Sequence, residues 1–149
     1  MEKLQKISVM LHIREMLKIK NALILGGLKL GIISNTNELS ANVCEKCYPV
    51  VLEGYEYKAY SHVLGLRKPD HKIYTHTLAR LNVTAGECLF VDDRLENIEA
   101  FRNLGGFGWH FDVSSPGALW ADDQRVADAR RKLEIVLVGL GLISSSIQK

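Results

Sequence analysis

The sequence predicts an α/β domain built on a parallel sheet. Three observations carry this expectation. Cys88 to Val91 is a short apolar run that ends abruptly in Asp92-Asp93, as a strand buried on both faces would. Leu95, Ile98 and Phe101 follow at helical spacing, and Gly105-Gly106 stop that helix. Leu28-Lys29-Leu30-Gly31-Ile32-Ile33 repeats the pattern upstream, with Ser34-Asn35-Thr36-Asn37 at its carboxyl end and a helix starting near Glu38. Strands alternating with helices imply parallel pairing, and ligand sites in such sheets lie at the carboxyl ends of the strands.

Taken in order, residues 1 to about 26 fit a helix through Leu11, Met16, Ile19 and Leu23, although Ile7 to Ile13 suits a strand equally well. Gly26-Gly27 breaks the pattern before the first strand. Cys44-Glu45-Lys46-Cys47 closes the next helix. Tyr48 to Leu52 reads as a short strand, with Pro49 suggesting an edge or strand start. Glu53 to Leu66 reads as a Tyr-rich loop. Pro69 extends Lys68 and opens a helix, Asp70 suits its first turn, and Tyr74, Leu78 and Leu81 recur along it. Phe107 to Phe111 is a further strand, Ser114 to Gly117 a loop, and Asp122 to about Val138 a helix carrying Val126, Ala129 and Leu133.

Nineteen basic against seventeen acidic residues, mixed along the chain, leave no basic tract, so nucleic acid is not expected as a partner. No apolar run is long enough to span a bilayer, and the start does not read as a signal peptide. Three cysteines argue against a disulfide framework and for a reducing, cytoplasmic setting. A structural zinc site needs four ligands, and beside Cys44 and Cys47 only Cys88 remains as a thiol. Buried or half-buried thiols are the plainer reading.

The polar strand ends carry the chemistry. A hydroxyl, an amide and backbone N–H groups around Ser34 and Asn35 can cradle a phosphate or simply cap the following helix. Lys68, fixed by Pro69, is a positioned cation. Asp92 and Asp93 repel each other unless a cation or donors compensate. Hard oxygen ligands there favour Mg²⁺, and an N-terminal cap is the alternative.

In this order and spacing, "GLKLGIISNTN", "GLRKPDHKIY" and "LFVDDRLENIEAFRNLG" resemble the haloacid dehalogenase (HAD) superfamily, in its branch of small phosphatases and dehalogenases. The resemblance runs from Leu28 to about Phe111. It implies a Rossmann-like three-layer α/β sandwich. It further implies that Ser34 and Lys68 are catalytic and, with Asn35, bind phosphate. Asp93 would bind Mg²⁺ with Asp92 adjacent, and Asn97 would support the pair. The acidic pair points to the Mg²⁺-dependent phosphatase type acting on a small phosphorylated metabolite.

One departure is decisive for activity. The superfamily's first motif, Asp-x-Asp-x-Thr, supplies the nucleophile, and it is absent here. Only Glu2 and Glu15 precede Ser34, and the first Asp is Asp70. Met10 and His12 stand where carboxylates would be wanted. The strand bearing that motif is central in the family, so two half-sheets with open edges are expected unless Ile7–Leu11, Ala22–Leu25 or another chain fills the gap. The expectation is one partial HAD-like core: a helical remnant over 1–27, a motif-bearing core over 28–112, and a loop and helix over 113–149. The chain would have little or no turnover, and an open sheet edge would favour a homodimer. The alternative is a non-catalytic HAD-derived protein that binds phosphate or metal, or serves in interactions.

Overall fold

The computed structural model describes residues 16–113 and 123–145. The chain divides into two compact units, one of residues 29–110 and one of residues 1–28 with 111–149.

The second of these contains helix α1 over residues 16–25 and helix α7 over Asp123–Gly139. Ile19 of α1 is buried, as are Ala129, Leu133 and Leu137 of α7, the last three recurring every four residues. Arg130 and Glu134 pair at 2.5 Å one turn apart on α7. Residues 22–25 are therefore helical and do not supply a strand, which corrects that expectation. The other candidate, Ile7–Leu11, lies outside the described residues, as does the expected loop Ser114–Gly117.

Residues 29–110 hold four strands: β1 (Gly31–Ser34), β2 (Tyr57–Tyr60), β3 (Leu89–Asp92) and β4 (Phe107–His110). β1 pairs with β2 and β3 with β4, both in parallel. Among the described residues no ladder joins the two pairs, which stand there as two two-stranded half-sheets. Helix α5 (His71–Leu81) packs on β1 and β2, and α6 (Leu95–Arg102) on β3 and β4. The common core is Ala59, Ile73, Tyr74, Ala100 and Phe101, bordered by Ile33, Leu78 and Phe90 among others. The rings of Tyr74, Phe90 and Phe101 meet pairwise at 5.2–5.7 Å between centroids. These contacts tie the half-sheets together beneath their carboxyl ends.

Local chemistry explains the boundaries. Asn37 caps α2 (Glu38–Cys47) by accepting a hydrogen bond from Ser40 N at 2.8 Å, and Glu38 and Lys46 complement the helix dipole. Asp70 caps α5 through Lys72 N. Gly105 closes α6 in the left-handed region at φ 86°, as its type allows.

Three expectations are corrected here. Tyr48–Leu52 is no strand: Pro49–Leu52 forms the helical turn α3, because a proline at the first helical position is pre-set for a helix start. Glu53–Leu66 is not simply loop. It contains β2 and the turn α4 (Ser61–Leu64), and Ala59 of β2 is fully buried. β3 is less enclosed than an apolar run on both faces predicts: Leu89 and Phe90 are half-buried and Val91 is exposed. Its pairing with β4 alone among the described residues leaves one edge open.

Candidate functional site

The sequence-predicted residues converge at the carboxyl ends of β1 and β3. Ser34 is the last residue of β1 and is half-buried. Asn35 follows and pairs with the backbone of Lys68 from both sides of its amide. Its Nδ2 donates to Lys68 O at 2.9 Å, and its Oδ1 accepts from Lys68 N at 2.8 Å. That amide is thus committed to placing Lys68. A phosphate contact from Asn35 would have to come from its second amide hydrogen or its backbone N–H. The loop after Ser34 is anchored by Ser61, whose Oγ accepts from Thr36 N at 3.0 Å and donates to Thr36 O at 2.9 Å.

Lys68 reaches across to β3. Its Nζ donates to Asp92 Oδ2 at 2.5 Å and lies 5.7 Å from the centre of the Phe90 ring. The pair is nearly dry, with side chains 11% and 5% exposed. Asp92 Oδ1 accepts from Asn97 Nδ2 at 2.8 Å and from Arg94 N at 2.9 Å. Burial pushes the Asp92 carboxyl up, but the donors Lys68, Asn97 and Arg94 N outweigh it and hold the group below the ordinary carboxylate range. Asn97 is itself fixed, since its carbonyl accepts from the Tyr74 hydroxyl at 3.1 Å. Burial, and then the Asp92 charge, raise that hydroxyl well above its usual value. Asn97 Oδ1 is buried without a donor.

Asp93 differs from its neighbour. It is exposed, and among the described residues its carboxylate makes no hydrogen bond or ion pair. Only its carbonyl is engaged, lying 3.0 Å from His110 Nε2. Sequence reasoning missed Ser61 and His110. Ser61 follows a strand whose sequence has the pattern of a loop, and His110 ends a strand whose partner the sequence does not name.

The residues present fit half of a Mg²⁺ site. Mg²⁺ is often held by one or two carboxylates, with water and phosphate oxygens completing the octahedron. Asp93 offers free carboxylate oxygens beside the engaged Asp92. Among the described residues no cluster of three or more His, Cys, Asp or Glu side chains is placed to hold a metal. Cys44 and Cys47 are both exposed, which corrects the expectation of buried or half-buried thiols there; only Cys88 is half-buried.

Two pairs of parallel strands, with a buried lysine–carboxylate contact at the tip of β3, define a parallel α/β core with polar side chains at its carboxyl ends. A profile described as haloacid dehalogenase-like hydrolase matches residues 2–105, and the chain belongs to that family. The fold is its Rossmann-like core. Among similar proteins is the sesquiterpene phosphatase astK of Aspergillus oryzae, 46% identical over 46 residues, which cover 31% of this chain and 24% of that protein. The match thus spans about a quarter of that relative's length. An uncharacterized protein from Corynebacterium glutamicum superposes with a TM-score of 0.53 at 21% identity, covering 82% of this chain and 77% of the other. The HAD family enzyme bt-2542 from Bacteroides thetaiotaomicron, crystallised with magnesium and inorganic phosphate, superposes at 0.56 with 22% identity. That match covers 69% of this chain and 54% of the other. At these identities the structural matches establish the fold.

Among the described residues no helix is long and apolar enough to cross a membrane.

Proposed function

We propose that residues 28–111 form the phosphate- and metal-binding part of a Mg²⁺-dependent, HAD-type phosphatase site for a small phosphorylated molecule. One observation carries this: the Asn35–Lys68–Asp92–Asn97 chain of hydrogen bonds, which fixes a cation against Asp92, next to Asp93, at the tip of β3. Phosphoryl transfer is promoted chiefly by positioning and charge neutralisation. Ser34 would donate its hydroxyl hydrogen to a phosphoryl oxygen. Lys68 would place positive charge beside it, and its Asp92 contact keeps the ammonium from folding away. Asp93 would hold Mg²⁺ with Asp92 adjacent, and the metal when bound would neutralise phosphate charge. The phosphatase similarity over 46 residues and the magnesium and phosphate bound by the Bacteroides enzyme support this choice of ligands.

The covalent route also needs a carboxylate nucleophile. Within these 149 residues only Glu2 and Glu15 precede Ser34. That favours a second reading for the chain as given: it binds phosphate and Mg²⁺ without turning substrate over. Calorimetric titration with inorganic phosphate in the presence of Mg²⁺, beside hydrolysis of p-nitrophenyl phosphate, tests both statements. Binding should be measurable, weaken at least about tenfold in Asp93→Asn, and be accompanied by background hydrolysis only. Hydrolysis abolished by Asp93→Ala would refute inactivity, and absence of both phosphate and Mg²⁺ binding would refute the site.

A further inference from the structure

His110 is the last residue of β4 and stands in register with Asp92. Its Nε2 lies 3.0 Å from the carbonyl oxygen of Asp93. A carbonyl only accepts, so the hydrogen is on Nε2 and the ring donates. The other end of the same peptide unit, Arg94 N, donates to Asp92 Oδ1 at 2.9 Å. The Asp93–Arg94 peptide is therefore gripped at both its C=O and its N–H.

This grip matters because the two carboxylates are held so differently. Asp92 is fixed through its own oxygens by Lys68, Asn97 and Arg94 N. The Asp93 side chain has no comparable hold among the described residues. Its direction is set by the backbone that carries it. A peptide released on its carbonyl side can rotate, and with it the dihedral at Asp93 that aims the side chain.

We propose that His110 is a positioning residue for the metal: by fixing the Asp93–Arg94 peptide it aims the Asp93 carboxylate. The inference rests on the reading of Asp93 as a Mg²⁺ ligand given above. Partners that orient a metal-binding group typically change affinity by about 10–100-fold when removed. His110 does this through the backbone, and the lower end of that range is expected.

The experiment uses the full chain and Mn²⁺ as an octahedral, spin-active substitute for Mg²⁺, titrated by electron paramagnetic resonance. The unsubstituted chain should bind one Mn²⁺, and Asp93→Asn should weaken it. His110→Ala should raise the Kd about tenfold. His110→Gln, whose amide N–H reaches a similar position, should recover most of that loss. An Ala variant with unchanged Kd overturns the proposal while leaving Asp93 a ligand, and so does a Gln variant as weak as Ala. An unsubstituted chain that binds no Mn²⁺, or binding indifferent to Asp93→Asn, overturns the reading of Asp93 and this inference with it. Nitrogen NMR of the unsubstituted chain gives an answer that needs no variant to fold. The Nε2–H form is expected, and a neutral ring with its hydrogen on Nδ1 overturns the proposal.

Discussion

Replacing Lys68 by Met tests the buried pair at the centre of the site. The substitution keeps most of the apolar stem beside Phe90 and removes the ammonium. Asp92, with its side chain 5% exposed, then retains two donors of three, Asn97 Nδ2 and Arg94 N. Removing one partner of a buried ion pair destabilises by about 3–5 kcal/mol. Protonation sets a ceiling. A carboxyl with an unfolded value near 3.9 can be neutralised at pH 7 for about 1.36 kcal/mol per pH unit, or about 4 kcal/mol. The expected loss at pH 7 is therefore about 3–4 kcal/mol, and at pH 5 the ceiling has fallen to about 1.5 kcal/mol.

The two proteins should respond to acid in opposite directions. In the unsubstituted chain the folded Asp92 value is depressed. Its contribution is present above the unfolded carboxyl value and is lost as pH falls through the folded one. In Lys68→Met burial prevails and raises the folded value, so that contribution improves as pH falls toward the unfolded value. Urea unfolding followed by circular dichroism at pH 7, 6 and 5 measures the gap. A gap that stays constant with pH, or stays below about 1 kcal/mol at pH 7, refutes the claim that Lys68 compensates a buried charge. Adding Asp92→Asn to Lys68→Met should recover stability at pH 7, since no buried charge then remains.

Two further outcomes follow from packing and thiol chemistry. A Cβ at Gly108 would lie 2.7 Å from Ile98 Cγ2 and 3.2 Å from Arg102 Nε, so Gly108→Ala should lose about 1–3 kcal/mol by overpacking β4 against α6. An unchanged urea midpoint would show that α6 yields at no cost. Cys44 and Cys47 are exposed, whereas burial and then the Glu87 charge raise the Cys88 thiol above its ordinary value. A disulfide reagent at pH 8 should therefore label two thiols quickly and the third at least about tenfold more slowly, until urea equalises them. Three equal rates in the folded chain would contradict the placement of Cys88.

What the sequence disclosed depends on how far each contact reaches along the chain. The strand tips Ser34-Asn35 and Asp92-Asp93 are contiguous residues, and a strand followed by a helix fixes them locally. The Asn97–Asp92 contact is also local, spanning five residues across the entry to α6. Lys68 was legible as a positioned cation because Pro69 marks it. The partner that the structure gives it, Asp92, is 24 residues away and became visible only with the fold. β2 was hidden for the same reason. Tyr57-Lys58-Ala59-Tyr60 is too short to declare itself, and its extension depends on pairing with β1 across a helix and a turn. Missing β2 also concealed Ser61 at its end.

The difference between the two aspartates was beyond pattern reading altogether. Asp92 and Asp93 are the same residue type on consecutive positions, and alternation along a strand end sends them to opposite environments. One is enclosed by three donors, and the other is left open to solvent with its peptide held by His110. A carboxylate saturated by protein donors is suited to holding Lys68 in place. A carboxylate free of them is suited to meeting a cation from solution. The division of labour proposed for this strand tip thus rests on which oxygens are already occupied, and measuring metal affinity in the Asp93 and His110 variants addresses it directly.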